Sequence, residues 1–170
     1  MEIVKKRKDV RFVKFIGMAI LVIFAVVMLT GAAYADIAQD VRGLFELHAR
    51  ILPGMTIEAL SAVLGPPIES HAVPGSTPVM RYVWLQGVKG VVAYEVNGAA
   101  HRISVTLPVG DNQNQNRALD SLTRQGQARY GSLPRSDSSR GEHYWIRDGI
   151  RFAFSRHNQN AVRSTATRAQ

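Results

Sequence analysis

Cysteine is absent from all 170 residues. That excludes disulfides and thiol chemistry, and it excludes a lipid-bearing cysteine at the end of the leader described below. Lysine nearly vanishes after residue 35, where Lys89 is the only one. Histidine is sparse. His48, His71, His101, His143 and His157 include no His-x-His, HExxH or i,i+4 pair. No zinc site has local spacing behind it, and neither a metal nor a cofactor is expected. No Gly-x-Ser-x-Gly occurs, which excludes the serine-hydrolase elbow. Gly75-Ser76 and Gly131-Ser132 read as turns instead. Gly87-x-x-Gly90 is too short for a phosphate loop and reads as a hairpin turn. The acids do not cluster, so no carboxylate pair can be nominated for glycoside cleavage.

What is present begins with an address label. Residues 1–14 carry six basic side chains against Glu2 and Asp9. Phe15–Leu29 is an uncharged apolar run, and it closes on Thr30-Gly31-Ala32-Ala33-Tyr34-Ala35 before Asp36. A basic start, an apolar centre and a small-x-small end make the pattern of a secretory signal peptide. Cleavage is expected after Ala35, with Ala33 and Ala35 recognised and Asp36 as the new first residue. The alternative is an uncleaved anchor, since Phe15–Ala35 is 21 residues, about the ~20 that span a bilayer. Either way residues 36–170 work outside the cytoplasm, periplasmic or secreted, and touch a membrane only through an uncleaved leader.

Of 21 basic and 13 acidic residues, 15 and 11 lie beyond residue 35. The exported part is therefore mildly basic, almost wholly through arginine. A spread of arginines is weak evidence for nucleic acid, which is not an expected partner there. An acidic surface on another envelope or secreted protein fits better. With no disulfides, stability must come from an apolar core.

Asp36–Leu52 reads as a helix with Ile37, Val41, Leu44, Phe45, His48 and Leu52 in one stripe. A shorter helix follows, with Thr56 as N-cap, Ile57, Leu60, Val63 and Leu64 inward, and Gly65-Pro66-Pro67 as its stop. Residues 68–78 read as a loop. Strands are expected at Val79–Gln86, Val91–Val96 and Ala99–Leu107, the last two joined by Asn97-Gly98. Arg102, Ser104 and Thr106 alternate with Ile103, Val105 and Leu107, so one face meets a core and the other meets water. Pro108–Asn116 reads as a boundary. A helix over Arg117–Tyr130, a loop at 135–142, strands at His143–Arg147 and Ile150–Arg156, and a last strand at Ala161–Thr165 complete the chain. Residues 166–170 read as a frayed tail.

The two halves, 36–108 and 117–165, look alike. Each has a helix ended by glycine with proline soon after, then a tryptophan-bearing strand, a turn, an alternating strand and a return strand. Gly65 and Gly131 are 66 apart, Trp84 and Trp145 61 apart. The expected fold is α+β: a helix or helix pair with an antiparallel meander, duplicated into a sheet of about six strands with helices packed on one face.

Gly54-Met55-Thr56, then Leu64-Gly65-Pro66-Pro67 and an aromatic meander, resemble the SmpA/OmlA outer-membrane assembly lipoproteins. The tandem arrangement is similar to the secreted β-lactamase inhibitor proteins. The likeness covers residues 53–107 well and 117–165 loosely. This chain lacks the lipoproteins' lipid-bearing cysteine and the inhibitors' disulfides. The resemblance implies a class that binds other proteins and performs no catalysis. A small periplasmic enzyme acting on cell-wall or glycan material is the alternative.

Candidate binding residues are Tyr82, Trp84, Trp145, Arg147 and Arg151, since tryptophan, tyrosine and arginine dominate interface hot spots. The competing reading of both tryptophans is plain core packing. Trp145 is the stronger interface candidate, because its face is expected to carry Arg147 and, across the Asp148-Gly149 turn, Arg151.

Overall fold

The computed structural model describes residues 36–75 and 78–169. The expected leader, with Ala33 and Ala35, lies outside them. Ile37–Gln170 forms one compact unit. No helix among the described residues is long and apolar enough to cross a membrane.

Helix α1 covers 36–50. Val41, Leu44, Phe45 and His48 recur at steps of three and four, and all four are buried. Because the helix ends at residue 50, Ile51 turns inward and Leu52 is left 40 % exposed, contrary to the expected stripe. Helix α2 (Ile57–Leu64) starts at Thr56, whose hydroxyl accepts from the Ala59 N–H. It stops at Gly65, whose φ of 82° favours a residue without a side chain.

Strand β1 (Glu69–Val73) runs through the expected loop. It is an edge strand, exposed along most of its length, so it lacks the apolar alternation that marks a strand in sequence. Strands β2 (Val79–Gln86), β3 (Lys89–Val96) and β4 (Ala99–Pro108) complete a meander. Asn97 and Gly98, at φ 53° and 82°, make the tight turn their sequence promises.

Helix α3 spans Asn112–Tyr130, five residues earlier than expected. Asp111 accepts from the Asn114 N–H and so converts the polar run after Pro108 into a helix start. A second meander follows: β5 (Arg135–Asp137), β6 (Glu142–Arg147), β7 (Ile150–Asn158) and β8 (Ala161–Arg168). β5 lies in the second expected loop and, like β1, is a short polar edge. β8 continues through the expected tail. Ala166 is buried there between Ile103 and Phe152, which holds the strand in place.

The result is one eight-stranded antiparallel sheet, ordered β1-β2-β3-β4-β8-β7-β6-β5. Two four-stranded meanders meet where β4 pairs with β8. One face is apolar. A row across it reads Trp84, Val91, Val105, Ser164, Phe154, and the next reads Tyr82, Ala93, Ile103, Ala166, Phe152, Trp145. All three helices contribute to the core against this face: Val41, Leu44 and Phe45 from α1, Leu60 and Leu64 from α2, Ala118 and Leu122 from α3. Each fully buried aliphatic or aromatic side chain is worth about 1.5–3 kcal/mol of transfer free energy.

Both tryptophans are tied in the same way. Trp84 Nε1 donates to the Gly65 carbonyl at 2.9 Å, and Trp145 Nε1 to the Ser132 carbonyl at 2.9 Å. Each bond satisfies an orphan carbonyl just past a helix end. Gly126 faces the Trp145 ring so closely that any Cβ there would overlap it. α3 is also fastened by the buried Gln115, whose Nε2 donates to the Ala161 carbonyl at 2.7 Å.

Candidate protein-binding face

The residues singled out in sequence do not form one site. Trp84 is 0 % and Trp145 3 % exposed, so both are packed in the core and neither stands on an open protein-binding face. Tyr82 lies on the same apolar face at its margin, 6.1 Å from the Trp84 ring. A hydrogen bond to Glu95 raises the pKa of its phenol, with burial adding to the shift. Arg147 sits at the hairpin end of the apolar face. Its Nη1 donates to the Arg129 carbonyl at 3.1 Å, and its Nε lies 3.6 Å from Asp148.

Arg151 is on the opposite face. The two-residue turn Asp148-Gly149 pairs Arg147 with Ile150, so Arg151 falls opposite Ile146 and across the pleat from Trp145. There its Nη1 meets Glu142 at 2.9 Å, and its guanidinium lies 4.3 Å above the Tyr144 ring. The expected Trp145–Arg151 cluster therefore does not exist.

None of the described helices covers the face that carries Arg151. That face holds a depression of about 550 Å³. Six arginines line it (Arg81, Arg102, Arg140, Arg151, Arg163 and Arg168), and Glu142 is the one acid among the described lining residues. The strand registers place Arg81, Tyr94, Arg102, Thr167 and Arg151 in one straight row over β2, β3, β4, β8 and β7. Neighbouring strands are about 4.8 Å apart, so successive arginines in that row recur about every 10 Å. Below it, Ser104 faces Thr165, with their hydroxyls 3.2 Å apart, and Thr106 faces Arg163.

These cations are unevenly compensated. Arg81 pairs with Glu69 at 3.4 Å and Arg151 with Glu142 at 2.9 Å. Arg102, Arg163 and Arg168 make no ion pair among the described residues. Arg102 instead lies 4.1 Å over the Tyr94 ring. Arg163 Nη2 donates to His157 Nε2 at 2.6 Å. Burial lowers the pKa of His157, and the charge of Arg163 lowers it further. Planar, weakly hydrated guanidiniums held by ring stacking suit bidentate contact with carboxylates. The hydroxyls between them add donors without adding charge.

The alternation of Arg102, Ser104 and Thr106 was legible as a solvent face. The pairing of β4 with β8, which brings Arg163 and Thr167 alongside, was not. Arg81 and Arg168 carried no local signal.

Two serine–histidine pairs among the described residues have the spacing for chemistry beyond binding; the exposed one, Ser136 Oγ at 3.1 Å from His143 Nδ1, is a cross-strand pair of β5 and β6. His48 Nε2 lies 2.8 Å from Ser164 Oγ, the separation of a nucleophile and its base. Ser164 is 0 % exposed, and its hydroxyl donates to the Val105 carbonyl at 3.3 Å. His48 Nδ1 has no partner to orient it. The Ser164 hydroxyl is closed to substrate, which makes the pair a core hydrogen bond. Among the described residues no group of three or more histidine and acidic side chains could hold a metal ion. Comparison of the chain with protein-family models, with curated proteins and with solved structures finds no match.

Proposed function

We propose that this chain is an exported protein-docking module of the cell envelope, non-catalytic itself, whose open sheet face receives an acidic surface of another envelope or secreted protein. The observation that carries this reading is the row Arg81, Tyr94, Arg102, Thr167, Arg151, held on a sheet face that no described helix covers. Arg102 in that row and Arg163 beside it have no acidic partner among the described residues, while Arg81 and Arg151 are paired with Glu69 and Glu142, and an anionic surface would supply the missing charge. The basic, apolar, small-x-small leader supports export.

The same reading takes the two halves as a duplication related to the SmpA/OmlA class. A single offset of 61 residues supports it. That offset carries the Gln86–Lys89 turn onto Arg147–Ile150, Trp84 onto Trp145, and Arg102, Ser104 and Thr106 onto Arg163, Thr165 and Thr167. The two halves of the open face would then be copies of one arginine-and-hydroxyl strand set side by side.

A photo-cross-linker at Thr167, compared with one at Glu46 on the helical side, tests the docking face in intact cells. The expected result is an adduct from Thr167, lost when Arg81, Arg102 and Arg163 become glutamate and kept in Arg147→Gln. Adducts from Glu46 alone, or yields indifferent to the charge reversal, would overturn the reading.

A further inference from the structure

A second cavity lies on the helical side, between the C-terminal halves of α1 and α3 and the β6–β7 hairpin. Its volume is about 530 Å³, within the ~300–1,000 Å³ of small-molecule sites. Four rings form its apolar wall: Phe45, Tyr130, Trp145 and Phe152. They interlock, with Phe45 stacked 5.2 Å from Phe152 and Tyr130 tilted 5.2 Å from Trp145. His48 also lines it, edge-on to Phe152. Burial holds that imidazole neutral, so the wall carries no charge above pH 5.

The charge is at the rim, in Arg129, Arg147 and Asp148. Arg147 both pairs with Asp148 and covers the carbonyl of Arg129, which quiets the negative end of α3. Arg129 makes no ion pair among the described residues. Burial raises the pKa of the Tyr130 phenol, and the nearby charges of Arg129 and Arg147 pull it part of the way back. An aromatic trough thus opens onto two arginines and a phenol.

We infer that this cavity binds a small aromatic carboxylate, its ring lying against Trp145 and Phe152 and its carboxylate between Arg129 and Arg147. Stacking and ring burial supply the affinity, and the paired guanidiniums select the anion. The site is separate from the open sheet face, so either can fail without the other.

The test titrates the protein, as purified from the cell, with 1-naphthylacetate and follows the two indole N–H signals by NMR. The Trp145 signal should shift saturably and the Trp84 signal should not. The neutral isostere 1-naphthylacetamide should bind at least tenfold more weakly. Joint replacement Arg129→Gln and Arg147→Gln should weaken the acid about tenfold. Ala49→Phe, which fills the trough from an exposed lining position, should abolish binding with the Trp84 signal unmoved. The inference is overturned by an amide that binds as tightly as the acid, by an unchanged affinity in the double variant, or by the absence of any saturable Trp145 shift.

Discussion

The most quantitative consequence of the fold concerns His48. It occupies a core position of the α1 stripe, where every neighbour at the same spacing is apolar. Its Nε2 is bonded to Ser164, whose hydroxyl proton goes to the Val105 carbonyl. Nε2 must therefore carry the ring proton, and Nδ1 is a bare acceptor sealed from water. Protonating Nδ1 would place an uncompensated charge in the core. Burial accordingly lowers the pKa of the group from 6.5 to about 3.

The folded value lies below the unfolded one, so the unfolded chain takes up the proton first as pH falls. Stability is full above pH 6.5 and is lost progressively between 6.5 and 3. At about 1.4 kcal/mol per pH unit, the whole shift amounts to ~5 kcal/mol. At pH 5 about 2 kcal/mol is already gone, a large share of the ~5–15 kcal/mol that holds a domain together. The assay is urea unfolding at pH 7.5 and pH 5.0, read by circular dichroism. In His48→Gln the amide still donates to Ser164 and cannot titrate, so the share of the loss that belongs to His48 should vanish. His157, whose pKa is also lowered by burial and by Arg163, adds a smaller loss of the same sign, and His157→Gln in both backgrounds removes it. Asp137 and Glu58, lowered by their hydrogen bonds, stabilise the fold above the carboxylate range and yield only below it, outside this window. Parallel losses in the parent and His48→Gln would refute the reasoning.

Gly126→Ala should destabilise the protein by about 2 kcal/mol in urea unfolding, since overpacking costs about 1–3 kcal/mol and alanine returns less than about 1 through helix propensity. Trp145→Phe, which removes the ring atoms in the way, should recover part of that loss in the double variant. Partner binding through the open face should weaken steeply between 50 and 500 mM salt, because exposed guanidiniums are screened, whereas naphthylacetate binding should weaken less. N-terminal sequencing of the exported protein should begin at Asp36, and a first residue upstream of Phe15 would favour the anchor instead.

Local chemistry made much of the fold legible. Asn97-Gly98 and Asp148-Gly149 adopt the positive φ that their residues favour, and α2 is bounded by the Thr56 hydroxyl at its start and by Gly65, free of a side chain, at its end. The missed elements share a cause. β1 and β5 are edge strands that bury almost nothing, so their sequences answer to solvent and not to a core. The start of α3 was hidden because Asp111 acts through a cap bond, while the residues after it are polar enough to read as loop.

The candidate site was illegible for a different reason, one that separates composition from placement. Tryptophan and arginine are the right residue types for an interface, but each strand has two faces, and a turn of two residues decides which face receives Arg151. Pairing Arg147 with Ile150 sends the tryptophan inward and the arginine outward, so residues neighbouring in sequence end on opposite sides of the sheet. The charge of the open face comes from strands far apart in the chain, joined where β4 meets β8. Neither half displays the whole face. Half of it is a strand with an outward arginine and two hydroxyls, a pattern common to any water-facing strand. Only the second half, laid antiparallel beside the first, turns scattered cations into a row whose spacing a partner can match. The function proposed for this chain thus resides in the seam between its halves, and it should vanish on disruption of the β4–β8 pairing even where each half keeps its own hairpins.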